Sequence, residues 1–222
     1  MAGEVRFYFD FISPFAYIAW HDLQGLAVGH NLSIRPVPVL FAGLLNAHNN
    51  LGPAEVEAKR RYIFKHCQRL AALRGLPFDA PPTHPFRPLI SLRTAIALDH
   101  NPKQAAVIER LLNRVWGAGA AIDDAAGIEA VLKASGIDPE PLLAEIQTDA
   151  VKQALADNTQ QAVKSGVFGV PTCEYQSELY WGVDAIPTLI AAITQSRAPE
   201  PQAAAAYERW CSIEASAARK RG

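Results

Sequence analysis

Strand-forming signals in this 222-residue chain are confined to its two ends, and the long stretch between them reads as helix. Residues 5–11 are β-branched and aromatic with period-two features. Pro14 then stands where a first helical turn tolerates proline, and residues 15–28 carry a helix-length apolar pattern. Residues 34–39 read as an extended segment that Pro36 and Pro38 restrict to an edge or irregular strand. A strand, a crossover helix and a second strand predict a parallel pair. From about Gly52 to Gly166 the pattern is helical. Pro53 opens a helix with Glu55 in its first turn, Val56, Ile63, Cys67 and Leu70 recur at helical spacing, and Gly75 ends it. Further helices are predicted over residues 92–98, 102–116, 128–132 (with Gly136 as C-cap), 139–146 and 149–166. Strand character returns only at residues 171–175 and 179–181, joined by a polar turn at Gln176, Ser177 and Glu178, and a last core helix follows Asp184.

Strand pieces at both ends should pair in one sheet. The expectation is therefore an α/β domain built from two halves, residues 1–40 and 165–200. A helical insertion occupies residues 41–164, and a helical arm and tail residues 201–222. Composition supports a globular chain: 50% of residues are hydrophobic and 19% charged, which excludes disorder as the main state. The balance of 21 Lys and Arg against 22 Asp and Glu, a net charge of -1, excludes a broadly basic nucleic-acid binder. No apolar run reaches the roughly 18 residues that cross a bilayer. Asp10 interrupts the early apolar stretch, which lacks the basic start of a signal peptide. Cys67, Cys173 and Cys211 are scattered, forming neither a disulfide framework nor a metal knuckle, as suits a reducing cytosol. A cytoplasmic protein without metal, membrane or nucleic-acid partner is expected, with the Arg219-Lys220-Arg221 tail solvated.

Ser13-Pro14 follows a strand and opens a helix. At the least this is an N-cap followed by proline at the first position. Unpaired amides and the positive end of the helix dipole also collect there, so an anionic sulfur would be stabilised. Residues 166–172 (Gly-Val-Phe-Gly-Val-Pro-Thr) lead into a strand, where a cis Val170-Pro171 bond would leave Val170 backbone groups for a ligand. Lys59, between Val56 and Ile63, sits on or beside the apolar face of its helix, where it either snorkels or meets a ligand carboxylate. Asn50 is a turn residue or an amide donor, and Asp184 an N-cap or a partner for an ammonium group. His48 and Trp181, with His84 and Arg87 in a proline-rich loop, complete the polar and aromatic candidates.

Taken together, Phe7-Tyr8-Phe9-Asp10-Phe11-Ile12-Ser13-Pro14-Phe15-Ala16-Tyr17, then Gly52-Pro53 with Lys59 and Tyr62, then Phe168-Gly169-Val170-Pro171-Thr172, and finally Trp181-Gly182 with Asp184, carry a family resemblance. In order and spacing they resemble the DsbA-like branch of the thioredoxin superfamily, and within it the 2-hydroxychromene-2-carboxylate isomerases and kappa-class glutathione transferases. The resemblance spans about residues 5 to 195 and implies a thioredoxin-like α/β fold with a large all-helical insertion. Ser13-Pro14-Phe15-Ala16 stands where thiol oxidoreductases of the superfamily carry Cys-x-x-Cys, so disulfide exchange at that position is excluded chemically.

The resemblance implies that glutathione supplies the working thiol, with Ser13 hydrogen-bonding its sulfur and helping to keep it a thiolate. Val170 would pair with the cysteinyl unit, Asn50 and Lys59 would hold the peptide backbone and glycine carboxylate, and Val183 and Asp184 the γ-glutamyl end. His48, His84, Arg87 and Trp181 are the candidates for an aromatic substrate. The implied reaction is reversible thiolate addition to a 2-hydroxychromene-2-carboxylate or its opened form, rotation, and elimination to trans-o-hydroxybenzylidenepyruvate, a step of aromatic catabolism. A homodimer is also implied. Two departures stand out: Ala185 follows Asp184 where many relatives have Arg, and residues 45–48 lack the lysine that relatives place nearby. A kappa-like transferase or peroxidase and a non-enzymatic thioredoxin-fold binding module are the alternatives.

Overall fold

β1 (Glu4–Phe9) is the spine of the sheet. It pairs in parallel with β2 (Ser33–Pro38) and antiparallel with β3 (Thr172–Tyr175), while β3 pairs antiparallel with β4 (Glu178–Trp181). The order β2-β1-β3-β4 joins strands from both ends of the chain. β2 lies at an edge with Pro36 opposite Phe7 and Pro38 opposite Phe9, a place where a missing N–H need cost no ladder bond. β3 and β4 are joined through Gln176 and Ser177 at φ 52° and 65°, the primed turn geometry that matches strand twist. The computed structural model describes residues 3–195 and 201–214, so the Arg219-Lys220-Arg221 tail lies outside the described residues.

α1 (Pro14–His30) crosses from β1 to β2. Ser13 caps it, its Oγ accepting from the Ala16 amide at 3.3 Å, and Asn31 ends it in the left-handed region with φ 51°. Ala16 to Trp20 are all buried, so this turn of helix is enclosed rather than amphipathic. Trp20 packs on Phe7 and Phe9 at ring-centroid distances of 5.7 and 6.5 Å. Val5, Phe7 and Phe9 share that face of the sheet, and Tyr8 points to the other with Val39, Leu44, Ala162 and Val167.

Between the two halves of the sheet run α2 (Phe41–Ala47), α3 (Glu57–Leu73), α4 (Leu89–Ala97), α5 (Gln104–Leu112), α6 (Ala125–Ala134), α7 (Pro139–Glu145) and α8 (Asp149–Lys164). α9 (Ile186–Gln195) follows β4, and α10 (Pro201–Cys211) lies beyond it. Phe7, Trp20, Leu111, Trp116, Leu132 and Leu189 belong to one cluster of buried side chains, so the sheet and the helices share a core. Each such side chain contributes on the order of 1.5–3 kcal/mol through burial.

Several boundaries differ from the sequence pattern. Pro53 opens only a short 3-10 turn (Pro53–Glu55), and α3 starts at Glu57 because Val56 is extended, with φ -107° and ψ 109°. The helix expected over residues 102–116 is α5 followed by a π-turn, Asn113–Gly117. Asp184 is not the cap of the last helix but lies inside a 3-10 turn, Val183–Ala185. α2 had no sequence signal: it is only 7 residues long and has no side-chain cap at its start. Among the described residues no helix is long and apolar enough to cross a membrane, and no group of three or more His, Cys, Asp or Glu side chains is placed to hold a metal ion.

Candidate functional site

The segment from Asp10 to Ser13 is held from several sides at once. The Asp10 carboxylate, 1% exposed, accepts from the Ile12 amide at 3.0 Å and, with its other oxygen, from the Phe41 amide at 2.9 Å. Burial pushes this carboxyl up to about 7, an effect that the two amide donors only partly oppose. The Trp116 indole N–H donates to the Phe11 carbonyl at 2.8 Å, and the Ser13 amide to the Asp10 carbonyl at 3.1 Å. His84 Nε2 lies 3.1 Å from the Ile12 carbonyl. A carbonyl only accepts, so Nε2 carries the proton and Nδ1 is left as the acceptor in the neutral ring. Burial, together with the nearby Arg60 charge, pushes the imidazole below its ordinary range despite the bond to Ile12, keeping it neutral near pH 7. Nδ1 itself is buried without a hydrogen-bond partner.

This bracing delivers Ser13 to the carboxyl end of β1 and the positive end of α1. Ser13 is 8% exposed, and its hydroxyl lies 3.5 Å from the Val170 carbonyl, to which it donates. The Val170-Pro171 peptide is cis, as is His84-Pro85. The Gly182 amide donates to the Pro171 carbonyl at 2.9 Å, which brings the turn holding Val183 and Asp184 beside that bond. Neither buried cysteine offers a thiol here: burial pushes both Cys67 and Cys173 up to about 12.

Ser13, Pro14 and Val170 open onto a cavity of about 270 Å3. Its walls are predominantly apolar, with Phe15, Phe41, Leu45, Ile63 and Phe64, and its polar side chains include His84, Arg60 and Glu55. Glu55 is already engaged, accepting from the Gly52 amide at 2.5 Å. The volume is a little under the roughly 300–1,000 Å3 of typical small-molecule sites.

Of the candidate site residues, Ser13, Val170 and His84 line this cavity, and Asn50, Lys59, Val183, Asp184, His48, Arg87 and Trp181 lie outside its wall. Lys59 is exposed on the outer shoulder of α3 beside Tyr62, not on its apolar face. Arg60, seven residues before Cys67, lies in line with the buried stripe of α3 and lines the cavity, although it too is exposed. Asn50 is exposed, its side-chain oxygen accepting from the Leu51 amide at 2.9 Å. His48 is exposed with a ring nitrogen 3.1 Å from the Val167 carbonyl, and Arg87 is exposed. Trp181 packs on Phe168 at 4.8 Å. Val183 is buried and Asp184 exposed. Sequence reasoning missed Asp10, Arg60 and the α2 residues Phe41 and Leu45. A lone carboxylate inside the apolar run from Phe7 to Ile12 was the available signal for Asp10.

The chain matches the DSBA-like thioredoxin domain model over residues 4–194. The 2-hydroxychromene-2-carboxylate isomerase of Pseudomonas putida is 31% identical over 194 residues, covering 85% of this chain and 93% of the relative. Glutathione S-transferase kappa 1 of Rattus norvegicus is 26% identical over 178 residues, 76% of this chain and 79% of its own. A solved 2-hydroxychromene-2-carboxylate isomerase superposes with a TM-score of 0.79 at 30% identity, covering 87% of this chain and 95% of that one.

Proposed function

Since this chain belongs to the DSBA-like thioredoxin family and to the 2-hydroxychromene-2-carboxylate isomerases within it, we propose that it is a glutathione-dependent isomerase of 2-hydroxychromene-2-carboxylate-type compounds. The observation that carries this reading is Ser13: a hydroxyl at the positive end of α1, beside Val170, opening on an apolar cavity with no protein thiol at that position. A bound thiol fits there, because the hydroxyl and the helix end both favour a negative charge. Glutathione would supply the thiolate that adds reversibly to an unsaturated carbon and permits rotation about the former double bond. Ser13 would donate to that sulfur, and the backbone of Val170 would hold the cysteinyl unit. Asn50 and Lys59 would hold the peptide and glycine end from the exposed rim, and the Val183 backbone and Asp184 the γ-glutamyl end. Holding both reactants in one cleft supplies much of the acceleration.

The test is the ultraviolet spectrum of 2-hydroxychromene-2-carboxylate with the protein, with and without glutathione. Conversion to the opened isomer is expected only with glutathione. Ser13→Ala should slow it by at least about 100-fold, the usual cost of removing one preorganised donor to a developing anion, while glutathione still raises the melting temperature. No conversion by a folded, glutathione-saturated protein would refute the reading. The similarity to kappa-class enzymes favours a second reading, conjugation of electrophiles, which predicts stable glutathione adducts by mass spectrometry. Cytoplasmic residence and a homodimer belong to the same proposal, the latter tested by sedimentation.

A further inference from the structure

Arg60 is an exposed cation that lines the apolar cavity and has no ion-pair partner among the described residues. It lies in the first turn of α3, where the helix dipole disfavours positive charge. Its neighbour Arg61 is engaged by Glu57 at 2.6 Å, whereas Arg60 forms no ion pair among the described residues. Glu55, the carboxylate among the described residues on the same cavity, accepts from the Gly52 amide and forms no ion pair with Arg60. His84 is neutral and cannot share a counter-charge role. The cavity is therefore lined by an arginine without an ion-pair partner among the described residues, aromatic walls from Phe15, Phe41 and Phe64, and the positive end of α1 at Pro14.

We propose that Arg60 is the residue that binds the carboxylate of the second substrate, fixing a flat aromatic monocarboxylate with its apolar body against Phe15, Phe41 and Phe64 and its reactive carbon toward Ser13. The substrate class rests on the isomerase reading. A guanidinium suits this role because it pairs with a carboxylate through two parallel N–H donors. Glutathione is also an anion, but it is a polar tripeptide. The groups expected to hold its ends, Asn50, Lys59 and Asp184, lie outside the apolar wall that Arg60, exposed as they are, shares.

The experiment is calorimetric titration with 3-(2-hydroxyphenyl)propanoate, an unreactive aromatic acid, and with its primary amide, on wild type, Arg60→Gln and Arg60→Lys. Wild type is expected to bind the acid at least about tenfold more tightly than the amide, as for a charge-assisted pair. Arg60→Gln should bind both alike, and Arg60→Lys should keep part of the preference, while glutathione affinity stays within about twofold in all three. In the isomerase assay Arg60→Gln should raise KM more than it lowers kcat. An acid preference that survives in Arg60→Gln, no preference in wild type, or a loss confined to glutathione affinity would overturn the assignment. Absence of isomerase activity in wild type would refute the isomerase reading instead, and the acid-against-amide comparison would still decide the role of Arg60.

Discussion

Asp10 makes the chain's stability fall where most proteins are at their best. Its carboxyl is 1% exposed and is pushed from 3.8 up to about 7, with burial as the cause. The folded protein therefore keeps a proton that the unfolded chain releases near pH 4. The stability tied to that proton is fully present below 3.8 and is lost as pH rises toward 7, with little further change above it. At about 1.4 kcal/mol per unit, the shift from 3.8 to about 7 amounts to about 4 kcal/mol. Asp10→Asn removes the titration. An amide has one acceptor oxygen for the two donors, Ile12 N–H and Phe41 N–H, so the variant also carries a pH-independent cost of about 1–3 kcal/mol. Urea unfolding followed by tryptophan fluorescence, in steps from about pH 4 to about pH 8.5, reads both effects. The variant should be the less stable protein at the acid end. The difference, variant minus wild type, should then climb by about 4 kcal/mol on going to the alkaline end. Parallel curves, or a difference that falls with pH, would refute the argument that burial outweighs the two amide bonds.

Two further outcomes follow from the packing. Because burial pushes Cys67 and Cys173 up to about 12, a thiol reagent near pH 8 should label only the exposed Cys211 in native protein and all three after denaturation. Rapid native labelling of Cys173 would show that β3 is not packed as described. Trp116→Phe removes the donor to the Phe11 carbonyl at 2.8 Å and should cost about 1–3 kcal/mol in denaturant unfolding. An unchanged midpoint would mean that the carbonyl finds another partner.

Much of the fold was legible because its signals are local. Pro36 and Pro38 marked an edge strand, Ser13-Pro14 a helix start, and Gln176-Ser177 a tight turn, since each depends on the conformational limits of the residue itself. The site was less legible. α2 is too short for periodicity to register, yet it supplies Phe41 and Leu45 to the cavity wall. In Lys59-Arg60-Arg61 the sequence offers three adjacent cations and no way to rank them, and all three are exposed in the structure. In the packed structure Arg60 lines the cavity, Arg61 pairs with Glu57, and Lys59 lies outside the cavity wall.

The sequence by itself determined the order of the strands and of the helices other than α2, the cap at Ser13, and the absence of cysteine from Ser13-Pro14-Phe15-Ala16. Those properties follow from residue chemistry and chain conformation over a few positions. Only the tertiary structure decided which charges share a cavity. Asp10 reaches Phe41 across 31 positions, His84 reaches Ile12 across 72, and Trp116 reaches Phe11 across 105, each through a hydrogen bond that exists only once sheet and helices have packed. Burial is a property of that packing. It raises the Asp10 carboxyl to about 7, while the same packing brings Arg60 to the cavity wall, two facts that no local pattern encodes.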